Sequence, residues 1–149
     1  MRAVVQRIAW GKVEVEGQVT GAIDRGLLVY LGAGKGDGPE ERKYVLDKVL
    51  GLRIFENDAG KMDKSVVDVG GSLLVVSQFT LYGDVRKGRR PSFDGAMPPE
   101  EAEKAYDAFV TDARATGIRV ETGRFRADMK VSSLNDGPVT IWIDSAKNA

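Results

Sequence analysis

Leu73-Leu74-Val75-Val76-Ser77-Gln78-Phe79-Thr80-Leu81 is the strongest strand signal in the chain. Its four leading apolar residues suit a strand covered on both faces, and the run then turns polar. An extended conformation as far as Leu81 would put Ser77 and Phe79 on one face, Gln78 and Thr80 on the other. Such a polar end either emerges into solvent or delivers side chains and unpaired backbone N–H groups to a site. Gly26-Leu27-Leu28-Val29-Tyr30-Leu31 is a second run apolar on both faces, preceded by strand patterns over Ala3–Trp10 and Lys12–Glu16. Pro39-Glu40-Glu41 opens a helix reaching about Leu52, with Val45, Val49 and Leu52 spaced for one buried face. Pro98-Pro99-Glu100-Glu101 opens another, with Ala102, Ala105, Tyr106, Phe109, Val110 and Ala113 at helical spacing and Gly117 as its stop. Asn57 to Lys61 reads as a turn, and three strands follow the second helix, near Ile118–Glu121, Met129–Leu134 and Val139–Asp144. This order lacks strict βαβ alternation, which disfavours a doubly wound parallel sheet. The expected architecture is mixed α/β: a single domain, 1–149, of curved mixed sheets, partly barrel-like, with two main helices packed against them.

Composition narrows the chemistry. The 149 residues carry 22 Lys plus Arg against 22 Asp plus Glu, so net charge is zero and an extended basic coat for DNA is not expected. No apolar run approaches the roughly 20 residues that span a bilayer, and Arg7, Lys12 and Glu14 interrupt any signal-peptide core, so a cytoplasmic protein without a membrane partner is expected. Zero Cys removes a thiolate nucleophile and a disulfide framework; zero His removes the imidazole base of a Ser-His-Asp triad and the usual zinc ligands. No metal and no cofactor are expected.

Two glycine-rich stretches imitate known sites and fail on detail. In Gly32-Ala33-Gly34-Lys35-Gly36-Asp37-Gly38, Asp37 occupies the third glycine of a dinucleotide fingerprint, and Gly36 stands where a phosphate-binding loop needs Ser or Thr. Asn57-Asp58-Ala59-Gly60 lacks the alternating ligands and closing Glu of a calcium loop. The run Asp84-Val85-Arg86-Lys87-Gly88-Arg89-Arg90-Pro91 packs four cations into five residues of loop. It reads either as a solvated charged loop or as a phosphate-contacting patch.

Asn135-Asp136-Gly137-Pro138-Val139-Thr140 reads by default as a turn between strands, with an ordinary trans Gly137-Pro138 bond. In the first strand Arg7 shares a face with Ala3, Val5 and Ala9. If buried there, it needs fixed acceptors, and the backbone carbonyls of a nearby turn would serve.

These stretches together carry a family likeness. Through Val5-Gln6-Arg7, Ser77-Gln78-Phe79-Thr80-Leu81, Arg90-Pro91-Ser92-Phe93, Ala127-Asp128-Met129 and Asn135-Asp136-Gly137-Pro138-Val139-Thr140, the chain resembles the D-aminoacyl-tRNA deacylases over nearly its whole length. Arg126 departs from the pattern, which favours Gly there. The resemblance implies a homodimer with a composite site: Ser77, Gln78, Phe79 and Thr80 from one subunit, and a Gly-cis-Pro pair, Gly137 and Pro138, inserted by the other. It further implies that Arg7 helps hold that turn, that Gln6 belongs with it to the substrate-binding set, and that Met129 lines the pocket. The implied activity is hydrolysis of the ester joining a D-amino acid, or glycine, to the terminal ribose of tRNA, with L-residues rejected by the Gly-cis-Pro turn. Arg86, Lys87, Arg89 and Arg90 then become candidates for contact with the tRNA acceptor stem.

The chemistry is feasible without His or Cys. An aminoacyl ester is already activated, and a single positioned donor to the tetrahedral oxyanion is worth about 3–4 kcal/mol. Backbone N–H groups around Phe79 and Thr80 would supply it. Thr80 as a nucleophile lacks an adjacent activator, which favours help from the substrate's own 2′-hydroxyl. The rival readings are a non-catalytic RNA-binding module, a structural homodimer, and a serine hydrolase at Ser77; the last lacks both His and a Gly-x-Ser-x-Gly elbow.

Overall fold

The computed structural model describes residues 1–149. The chain begins with one long strand, β1 (Arg2–Val15), followed by β2 (Gln18–Ile23), β3 (Gly26–Gly32), α1 (Pro39–Gly51), β4 (Phe55–Glu56), β5 (Met62–Lys64) and β6 (Ser72–Ser77). A short 3₁₀ helix, Phe79–Tyr82, precedes α2 (Pro99–Ala115), β7 (Val120–Thr122) and β8 (Lys130–Asp144). The main sheet runs β2-β1-β3-β6-β7, with β8 along the other edge of β1. β3–β6 and β6–β7 are parallel and the remaining pairs antiparallel. Parallel neighbours need a crossover, and α1 and α2 are the two crossover helices. β4 and β5 form a separate two-stranded hairpin around the Asn57–Lys61 turn.

The sheet curls until β2 meets β7. The Thr20 hydroxyl donates to the Thr122 carbonyl at 3.4 Å, and a Cβ on Gly21 would lie 2.3 Å from that same oxygen. Only glycine lets the backbones approach at this seam, which leaves the sheet nearly closed and barrel-like. The curl explains why β3 and β6 are apolar on both faces. Leu27, Val29, Leu31, Leu73 and Val75 pack against Val45 and Val49 of α1 and Phe109, Val110 and Ala113 of α2. Leu28, Leu74 and Val76 turn inward to Ile8, Val13 and Ile23. Mixed α/β architecture with two helices is thus as expected.

Several boundaries differ. The patterns over Ala3–Trp10 and Lys12–Glu16 are one continuous strand, and β2 and the β4–β5 hairpin go unsignalled. Leu52 lies beyond α1, half-buried. β7 begins at Val120, two residues later than expected. The strand expected through Leu81 stops at Ser77 because its partners run out: β7 pairs only as far as Val75, and the Gln78 N–H makes the last bond, to the Leu31 carbonyl, at 2.8 Å. With no neighbour to pair with, the backbone satisfies itself by winding. Leu81 N–H donates to the Gln78 carbonyl and Gly83 N–H to that of Thr80.

The two strands expected around Asn135–Val139 are a single strand with an excursion. Both halves pair with β1: Gln6 lies opposite Thr140 and Ile8 opposite Asn135. Four residues of β8 therefore stand against Arg7 alone, and Asp136-Gly137-Pro138 leaves the ladder as a wide bulge. The same register shift turns Ala9 outward, although Ala3 and Val5 on the same strand are buried.

Candidate active site

A cleft of about 630 Å³ opens where β6 ends, between the 3₁₀ helix, the start of α2 and the β7–β8 connection. Ser77 and Gln78 supply its polar side chains; Phe79, Phe93, Met97, Tyr106, Phe125 and Met129 form much of its apolar wall. Phe79 is exposed and meets Phe93 edge-on, ring centroids 5.1 Å apart. Gln78 Nε2 donates to Thr80 Oγ1, so these two side chains brace one another across the first turn of the helix. As that turn's leading residues, Phe79 and Thr80 have no acceptor inside the helix for their N–H groups. The Ser77 hydroxyl has no hydrogen-bond partner within the chain and no base beside it. Tyr106 donates its hydroxyl to the Val75 carbonyl at 2.6 Å, and burial pushes its pKa well above the ordinary tyrosine value. The cleft therefore offers backbone donors, an amide and the Arg126 guanidinium in a largely apolar surround, with no carboxylate, imidazole, thiol or lysine among its lining side chains.

The model of the family described as D-Tyr-tRNA(Tyr) deacylase matches residues 4–144. The chain belongs to this deacylase family. A relative named D-aminoacyl-tRNA deacylase from Koribacter versatilis (strain Ellin345) is 59% identical over 147 residues, covering 99% of each chain. Another, from Sorangium cellulosum (strain So ce56), is 59% identical over 148 residues with the same coverage. A solved structure named c-Myc DNA Unwinding Element Binding Protein superposes with a TM-score of 0.92 at 44% identity, covering 97% of this chain and 98% of that one. Membership makes the chain a deacylase, an enzyme of the hydrolase class.

Within one deacylase chain the candidate residues fall into two groups. Ser77, Gln78, Phe79 and Met129 line the cleft, with Thr80 immediately beside it. Gln6, Arg7, Gly137 and Pro138 do not line it. They sit on the β1–β8 ladder, where a smaller recess of about 190 Å³ is lined by Arg7, Arg25, Glu56 and Asp136 among others. Arg7, 7% exposed, donates through Nε to the Asp136 carbonyl at 2.9 Å and through Nη1 to the Ile54 carbonyl at 2.7 Å. Gln6 Nε2 and Asn135 Nδ2 both donate to Thr140 Oγ1, while the Val139 N–H donates to Asn135 Oδ1. The excursion is pinned at its base, its tip is exposed, and the Gly137-Pro138 bond is cis.

The basic loop lies next to the cleft without lining it. Asp84 and Ser92 exchange backbone hydrogen bonds at 2.7 and 2.9 Å, closing the loop one residue before Phe93. Arg86 is folded back on Asp84 in a bidentate pair, whereas Lys87, Arg89 and Arg90 are exposed and make no ion pair. Hydrogen bonds from the Arg86 guanidinium, and then from its backbone N–H, hold the Asp84 carboxyl at about 2. A depressed folded pKa contributes stability that is complete above the ordinary carboxylate value near 4 and is lost as pH falls from there toward about 2. The Asp84 carboxyl resonance should therefore titrate near pH 2, and the loop's closure should not change between pH 5 and 8. A midpoint near 4 would mean that the pair does not form in solution.

Sequence reasoning missed the wall of the cleft. Phe93, Met97, Tyr106 and Phe125 come from separate segments, and each reads locally as ordinary helix or loop packing. Phe93 alone had a signal, through the Arg90-Pro91-Ser92-Phe93 motif.

Proposed function

We propose that this enzyme hydrolyses the ester of D-aminoacyl-tRNA, and of glycyl-tRNA, while sparing L-aminoacyl-tRNA. The carrying observation is the cleft itself: the first N–H groups of a 3₁₀ helix stand beside Ser77 and Gln78 in an apolar surround that contains no general base. Such a site suits an activated ester whose own neighbouring hydroxyl assists. Water forms the new bond to the acyl carbon, the N–H groups of Phe79 and Thr80 stabilise the oxyanion, and the ribose 3′-oxygen leaves with a proton. The 2′-hydroxyl of the same ribose relays that proton, so Ser77 and Thr80 position rather than attack.

Chiral selection is assigned to Gly137 and Pro138, acting in the cleft of a second copy of the chain. Two features favour this arrangement. The excursion does not line its own subunit's cleft, and large apolar side chains stand exposed along the same β1–β8 ladder: Trp10, Leu134 and Trp142, each more than 40% exposed. A homodimer that covers these residues would bring the exposed tip to a neighbouring cleft. Carbonyl oxygens on the tip would accept hydrogen bonds from the substrate ammonium and fill the volume that an L side chain requires, leaving room for a D side chain or for glycine.

Purified protein at catalytic concentration, given D-Tyr-tRNA and L-Tyr-tRNA in parallel, is expected to deplete the first and spare the second. Equal cleavage of both would defeat the role of Gly137-Pro138 and leave the ester chemistry standing. Survival of both, with tRNA still bound, would defeat the catalytic reading. The free cations Lys87, Arg89 and Arg90 are assigned to phosphates of the acceptor stem. Arg89→Ala/Arg90→Ala should weaken tRNA binding and reduce its log–log salt slope by roughly 1.4–1.8, at about 0.7–0.9 per phosphate lost. An unchanged slope would return the loop to a solvated surface.

A further inference from the structure

Arg126 is the one charged side chain lining the cleft. It occupies the third position of a turn closed by the Ala127 N–H to the Arg124 carbonyl at 3.2 Å, with φ at 63°. That position in that conformation favours glycine, so the backbone gains nothing from an arginine there. The side chain gains nothing within the fold either, since its guanidinium makes no hydrogen bond and no ion pair. The nearest acid in sequence, Asp128, is engaged by Lys130 Nζ at 3.2 Å. Position 126 is nevertheless firmly placed. Phe125 packs on Tyr106 on one side, ring centroids 6.1 Å apart, while Ala127 and Met129 line the cleft on the other. A planar cation with five free donors therefore stands exposed at the rim of a largely apolar cavity that no other charged side chain lines.

We propose that Arg126 binds an RNA phosphate adjoining the esterified ribose, and so sets how tightly the acceptor end is held in the cleft. The inference rests on the reading that the aminoacyl end of tRNA enters this cavity. The aminoacyl ester carries an ammonium and no anion, which leaves the phosphodiester preceding the terminal nucleoside as the nearest group for a guanidinium at the rim. Arginine suits it because its fork engages two phosphate oxygens at once. Arg126 takes no part in bond breaking.

The test compares wild type, Arg126→Gly and Arg126→Lys on two substrates: D-Tyr-tRNA, and the D-tyrosyl ester of adenosine, which has no phosphate. Arg126→Gly removes the cation and suits the backbone, so its melting temperature should hold or rise. Its KM for D-Tyr-tRNA should increase about fivefold to tenfold at low salt, and the log–log salt slope should become shallower by about 0.7–0.9, as for one lost phosphate contact. Arg126→Lys should keep the slope. On the adenosine ester, the penalty of Arg126→Gly should be roughly twofold or less, because that substrate offers no phosphate to lose. An equal penalty on both substrates, or an unchanged salt slope, would overturn the proposal and make Arg126 a wall of the cleft only. A wild type that leaves D-Tyr-tRNA intact would instead defeat the functional reading on which the proposal rests.

Discussion

Phe79→Pro is expected to turn over D-Tyr-tRNA about 10²–10³-fold more slowly than Phe79→Ala, the usual cost of one lost oxyanion donor. Both variants delete the ring and its edge contact with Phe93, so the difference between them isolates the backbone N–H. Proline is tolerated at the first position of a helix, where its fixed φ fits and its missing N–H breaks no internal bond. The preceding residue also permits it: Gln78 lies at φ −143°, ψ 79°, outside the helical region that a following proline disfavours. The helix itself should survive, since its bonds are donated by Leu81, Gly83 and their neighbours and not by residue 79. Unchanged melting temperature and tRNA affinity would establish this. Thr80→Ala supplies the complementary control. It removes a hydroxyl that only accepts from Gln78 and keeps its own N–H, so its loss should stay within about tenfold, less than one full oxyanion donor. Equal rates for Phe79→Pro and Phe79→Ala would remove residue 79 from the oxyanion site. Complete inactivity of a folded, tRNA-binding Thr80→Ala would make Thr80 the nucleophile.

How far the sequence could be read follows from whether each feature is decided locally or by a distant partner. β3 and β6 are legible as doubly covered strands because the apolar side chains along Leu27–Leu31 and Leu73–Val76 meet helices on one face and the barrel interior on the other. α2 is legible because its Ala102-Tyr106-Phe109-Val110-Ala113 stripe is the face it buries. By contrast, Ser77-Gln78-Phe79-Thr80 alternates like any strand, and only the absence of a neighbour beyond Val75 and Leu31 makes it wind. β2 is invisible for a similar reason: Gly21 weakens its strand pattern, yet is required by the approach of Thr122 from a distant segment. Asn135–Val139 carries every local sign of a turn, and becomes an excursion only because both flanks pair with β1. The site divides in the same way. Motif likeness names Ser77, Gln78, Phe79, Thr80 and Met129, and the fold brings these five together at one cleft. The same likeness assigns Arg7, Gly137 and Pro138 to a turn offered to another subunit, and in the fold they and Gln6 lie away from their own chain's cleft; it does not indicate which aromatic residues wall that cleft.

That separate face gives the second large effect. Arg7→Ala is expected to cost about 3–5 kcal/mol in stability and to erode discrimination against L-Tyr-tRNA before it abolishes ester hydrolysis. The stability estimate has two sources. Two backbone carbonyls, of Asp136 and Ile54, lose their donor at about 1–3 kcal/mol each, and the buried stem of the side chain leaves a void. The functional effect has a geometric origin, because Arg7 is the single residue of β1 opposite the four-residue excursion, and its Nε fixes the carbonyl preceding Gly137. A tip that is no longer held cannot keep its oxygens where an L side chain would otherwise go, so the D-to-L ratio of kcat/KM should fall by about tenfold or more, the equivalent of one hydrogen-bonded contact. Denaturant unfolding measures the first effect and parallel D and L assays the second. Should Arg7→Ala fail to fold, Gly137→Ala addresses the same tip from the other side. Its backbone stands at φ 138°, and an added Cβ would lie 2.7 Å from Val139 Cγ2 and 3.0 Å from Arg7 Nη2, so either the turn or its anchor must move. A folded variant of either kind with wild-type preference for D over L would place chiral selection elsewhere in the cleft. A changed preference with intact turnover of D-Tyr-tRNA would separate the two faces into their two tasks, ester cleavage at Phe79 and rejection at Gly137.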